Sequence, residues 1–133
     1  MMIPVKILIF GNKLVKKDSL PLELIPNLEK EFPDIEFKEF DSIEEIQNEG
    51  PIIYIIDTVE KIKNVTLIDD IDQIVISKNI YSMHDMDLGY MLKLMKKIKI
   101  IDKFIIFGIP IDTNLTKLEI FIQLKEKIKS ILV

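Results

Sequence analysis

Three residues far apart in the chain carry side chains that could do chemistry together: Asp18, Asp57 and His84. His84 is the single histidine in 133 residues, set in the polar window SMHDMD between apolar segments. A neutral imidazole with two carboxylates makes a facial ligand set for a borderline divalent metal, with positions left open for an incoming ligand. Each residue also has a plainer reading. Asp57 closes the run PIIYIID, where a carboxylate either serves a site or satisfies loop backbone donors. Asp18 precedes SLPLEL and suits the cap or first turn of a helix, where the dipole favours an acid. Ser82 and Asp85 have capping-box spacing for a helix over 86–98, which leaves His84 with no part in the cap.

The other acids read as solvated. Asp69, Asp70, Asp72 and Asp87 lie in polar turns, and Glu44, Glu45 and Glu49 read as the wet face of a short helix. Met91 and Met95 fall on an apolar periodicity and read as core rather than as ligands.

The elements that must position these residues follow from the apolar pattern. Val5–Phe10, Ile35–Phe40, Ile52–Ile56 and Phe104–Ile109 are β-branched runs bounded by Gly, Pro or Asp, as buried strands are. A weaker fifth strand falls near Val65–Ile68 or Gln73–Ile76. Leu88, Met91, Leu92, Met95 and Ile98 recur at helical spacing, and Leu115, Leu118, Ile122 and Ile128 make a similar stripe near the C-terminus. Leu20–Glu31 is also helical in pattern, but Pro26 within it requires a late start or a bend. Strands alternating with helices predict an α/β domain over 1–133. The expected fold is a single three-layer α/β/α sandwich around a mostly parallel sheet of about five strands. Ligands of such sheets bind beyond the C-terminal strand ends, here the loops beginning GNKLVKKDSLP, DTVEK and GIPIDTN.

Composition removes several classes of function. The absence of cysteine excludes disulfides, a thiolate nucleophile and cysteine-based metal sites. All 18 basic residues are lysine against 22 acids, so no guanidinium forks onto phosphate, and a nucleic-acid partner is not expected. The apolar runs fall well short of the roughly 20 residues of a membrane span, so no membrane partner is expected. MMIPVKILIF has neither a basic leader region nor a small-residue cleavage site and reads as a first strand. A cytoplasmic location is expected, and the lysine and glutamate load suits a thermophile.

Taken in order, GNKLVKKDSLP, IIYIIDTVEK and SMHDMDLGYML resemble the hydrogenase maturation proteases, and FIIFGIPID is similar to that family's closing strand. The resemblance implies an α/β/α sandwich. It also implies an endopeptidase that trims the C-terminal extension of a nickel–iron hydrogenase large-subunit precursor after nickel insertion. The family's nickel-reading roles would fall on Asp18, Asp57 and His84, as metal ligands and as the catalytic set. The nickel would be presented by the substrate, with no permanently bound cofactor. The chain departs from the family pattern at Ile9, Lys17 and Pro21, and Asp41 is followed by SIEEIQ with no glycine before Gly50. A divergent, short, archaeal-type member fits these departures. So does a homologue without proteolysis that acts as a binding or assembly module for the metal-bearing subunit. A phosphoacceptor domain does not fit: strand one ends in Phe10, Gly11 and Asn12, without acids, and strand five in Gly108, Ile109 and Pro110, without lysine. A serine hydrolase is disfavoured because no serine stands in a nucleophile elbow.

Overall fold

The computed structural model describes residues 5–10, 19–39, 49–59, 62–69, 92, 94–111 and 113–133. Along them run β1 (Val5–Ile9), α1 (Leu20–Glu23), α2 (Ile25–Glu31), β2 (Ile35–Glu39), β3 (Ile52–Val59), β4 (Thr66–Ile68), β5 (Lys103–Pro110) and α3 (Lys117–Leu132). Residues 94–97 are also helical. The five strands lie in the order β2-β1-β3-β5-β4. β1 is parallel to β2 and β3, and β3 is parallel to β5; β4 is antiparallel to β5, at the sheet edge. The protein therefore has an α/β fold with a mostly parallel sheet.

Continuous apolar runs place a side chain in the core on both sides of the sheet. On one face Leu8, Phe10, Ile53, Ile55, Val59 and Ile106 pack under Leu92 and Met95. On the other, Ile7, Ile9, Ile56, Phe107 and Ile109 pack under Leu24, Leu28, Ile120, Leu124 and Ile128. Two covered faces make three layers. Among the described residues no helix is long and apolar enough to cross a membrane.

Several local expectations are corrected. Strand three does not stop at Ile56. It continues through Val59 because β5 goes on pairing with it: Asp57 with Gly108, Thr58 with Ile109, Val59 with Pro110. Pro110 is tolerated because it lies past the stretch of β5 that β4 pairs, Ile106 to Gly108. Leu20–Glu31 breaks at Leu24 into two helices, each with a proline in its first turn, where a missing N–H costs nothing. The weaker strand lies at Thr66–Ile68, as the first of its two expected positions had it; Gln73–Ile76 lies outside the described residues.

The C-terminal stripe is rotated from the expected one. Ile120, Leu124 and Ile128 are the buried residues, while Leu118 is 66% exposed and Ile122 41%. LEIFIQL is apolar on more than one side, so its spacing alone does not fix which side meets the sheet. Ile98, expected on a core stripe, is 55% exposed because the helix has already ended. Lys99 takes φ 65°, the N–H of Ile100 donates to Met95 O (2.9 Å), and that of Lys99 to Lys96 O (3.2 Å). That is a Schellman stop with lysine in the position glycine usually holds.

Glu49 is not solvated. Its side chain is 9% exposed and bridges Lys6 on β1 (2.7 Å) and Lys38 on β2 (3.0 Å). Burial works against its charge, but the hydrogen bonds and charges of the two lysines prevail and hold its carboxyl below the ordinary 4.5. Gly50 follows at φ 110°, a turn open to glycine, and leads the chain into β3.

Candidate functional site at the strand ends

The strand order places β1 and β3 side by side at the centre, with β2 outside β1 and β5 outside β3. The chain leaves β1 for one edge and β3 for the other. The crevice beyond the C-terminal ends of these two strands is thus the switch point, where open α/β sheets bind ligands. Ile9, the last residue of β1, pairs with Ile56, and the Phe10 N–H donates to Ile56 O at 3.0 Å. The next residue of β3 is Asp57.

Asp57 is 2% exposed, and Asp57 and Thr58 are the buried polar residues among those described. By strand alternation Asp57 shares its face with Ile53, Ile55 and Val59, the face that Leu92 and Met95 cover. Opposite it stands Gly108, which brings no side chain to the crevice. Its Oδ1 accepts the Thr58 backbone N–H at 2.8 Å, which fixes the plane of the carboxylate. One oxygen therefore does the work of a backbone-capping aspartate, while the position is that of a ligand-binding acid.

Asp18 and His84 lie outside the described residues. What adjoins them is described. Ser19 occupies the N-cap position of α1, so the cap expected of Asp18 belongs to its neighbour. The Ser19 hydroxyl donates to Glu23 Oε2 (3.2 Å) and makes no cap hydrogen bond. α1 lies close to β3. The helical residues that follow the His84 window bury Leu92 and Met95 on the Asp57 face. The chain then reaches Asp102, whose N–H donates to Pro51 O at the start of β3 (2.6 Å). Met95 is core, as its periodicity predicts; Met91 lies outside the described residues. Among the described residues no three metal-ligating side chains gather.

One feature of these strand ends went unread as a site in the sequence. Lys63, Asn64, Thr113, Asn114 and Leu115 line an open groove of about 570 Å³ between the loop after β3 and the loop after β5. The two loops are tied together: the Thr113 hydroxyl donates to Lys63 O (3.0 Å), and Gln123 of α3 contacts both Val65 and Asn64. Gly108 lets the end of β3 and the start of β4 close in on β5, since a Cβ there would stand 2.9 Å from Val59 Cγ2 and 3.3 Å from Thr66 O. Both loops fall where ligands are expected. Their residues are ordinary turn formers some 50 positions apart, with no spacing that would single them out.

No family model matches the chain, and no curated protein matches it. Among solved structures it is similar to an uncharacterized protein from Wolinella succinogenes, at 15% identity and a TM-score of 0.62. The alignment covers 98% of this chain and 100% of that one. At that identity the likeness is one of fold, extending over the whole of both chains.

Proposed function

We propose that the protein is a nickel-recognising endopeptidase of the hydrogenase-maturation type, acting on the precursor of a nickel–iron hydrogenase large subunit. The observation that carries this reading is the place of Asp57. It is a buried carboxylate at the switch point, one residue beyond the pairing of β1, after which the sequence GNKLVKKD runs to Asp18. The packing of Leu92 and Met95 on the Asp57 face supports the approach of the His84 window to Asp57, while α1, which follows Asp18, lies close to β3 with its Leu20 and Leu22 packed on the other face of the sheet. In this reading Asp18, Asp57 and His84 take up the open positions of nickel already held by the substrate. The nearby peptide bond is then presented to water by proximity. Asp57 enters with its carboxylate plane set by Thr58, so less orientation is lost when the metal arrives.

The reading is tested by incubating the nickel-loaded precursor with the wild-type protein and with His84→Ala. Cleavage by the wild type, abolished in the variant, is the expected result. Processing by His84→Ala at the wild-type rate would remove the histidine from the mechanism. The alternative is a non-proteolytic assembly module, favoured by SIEEIQ after Asp41 in place of a glycine-rich stretch. It predicts stable binding of the loaded precursor with no cleavage.

A further inference from the structure

The groove between the 62–66 and 113–116 segments has a polarity that its hydrogen bonds determine. A backbone N–H can only donate, so the group facing Val65 N (2.9 Å) is the Gln123 oxygen. The Gln123 amide nitrogen then faces Asn64, donating to Asn64 Oδ1 at 3.0 Å. That leaves Nδ2 as the donating end of Asn64, a residue that lines the groove. Its position is held from behind by the Thr66 hydroxyl, which donates to Asn64 O (2.9 Å).

Thr113 is already committed: its hydroxyl donates to Lys63 O and accepts from the Leu115 N–H (3.2 Å). Those bonds hold the backbone of Lys63, an exposed residue that lines the groove. Among the described residues no hydrogen bond or ion pair engages Lys63 Nζ or Asn64 Nδ2. Among the described residues that line the groove, none is acidic. The N-terminus of α3 beside it is separately closed by the capping box of Thr116 and Glu119, so the groove is not that helix end.

We propose that this groove is an oxyanion-binding site, in which Lys63 Nζ and Asn64 Nδ2 converge on a carboxylate or phosphate group. An ammonium and a fixed amide donor form charge-assisted hydrogen bonds with such a group. The volume exceeds that of one oxyanion and falls in the range of small-ligand sites, with Leu115 as the apolar wall. The proposal does not depend on nickel recognition at Asp57.

The test is a titration of the full chain followed by amide resonances. The probes are inorganic phosphate, acetate, and one short peptide prepared with a free and with an amidated C-terminus. Saturable shifts at residues 63–64 and 113–115 are expected, weakened about ten-fold or more in Lys63→Gln and in Asn64→Asp. Asn64→Asp keeps the acceptor for Gln123 and exchanges only the donor for a second oxygen, so the loop remains anchored. A preference for the free peptide acid over the amide identifies a peptide carboxylate as the source, and saturation by phosphate alone identifies a phosphoryl group. No saturation by any probe, or affinity unchanged in both folded variants, would overturn the proposal.

Discussion

At the scale of single residues, two acids do different work, one buried and one partly buried. Asp57 was legible as a candidate from its place at the end of an apolar run, and the structure puts it at the switch point. The further reach of β3 was not legible, because Thr58 and Val59 are equally at home in a loop or a strand. Asp57→Asn preserves shape and leaves an oxygen to accept from Thr58, so folding should change by less than about 1 kcal/mol while metal affinity falls; melting and metal titration of the same sample check both. Glu49 was misread as solvated because the sequence does not show that Lys6 and Lys38 stand on adjacent strands. Its carboxyl is held below 4.5, so its stabilisation is present above the unfolded value and fades as pH falls through the folded one. Glu49→Gln should cost about 1 kcal/mol at neutral pH, and the difference from wild type should close under acid; denaturation midpoints across pH measure it.

Among the elements, β1, β2 and β5 were read to within a residue at each end, because a continuous β-branched run has little choice but to be buried. The C-terminal helix was read in existence but not in rotation, since Leu118 and Ile122 compete with Ile120 and Leu124 for the sheet. The structure separates them: Leu124→Ala should cost about 2–5 kcal/mol and Leu118→Ala less than about 0.5, by chemical denaturation. The end of the helix before β5 gives an opposite sign. Lys99 carries a side chain in a left-handed conformation, and Lys99→Gly should raise stability by about 1 kcal/mol. Gly108→Ala works against the strand-end loops, because the new methyl meets Val59 and the Thr66 carbonyl. A loss of about 1–3 kcal/mol in the same assay is expected.

For the whole molecule, alternation of strands and helices was sufficient to foresee an α/β sheet and to direct attention to its C-terminal ends. Both the Asp57 crevice and the Lys63–Asn64 groove lie there. The groove escaped notice because its donors become a set only once Gln123 fixes their orientation, and that is a tertiary contact. The central proposal is that Asp18, Asp57 and His84, far apart in the sequence, act as one nickel-holding set. Calorimetric titration of the metal-free protein with Ni²⁺, alongside Asp57→Asn and His84→Ala, tests it most directly. One-to-one saturable binding, lost in both folded variants, is the result this account predicts. Absent binding, or binding indifferent to both substitutions, would contradict it and return Asp57 to the role of a backbone cap.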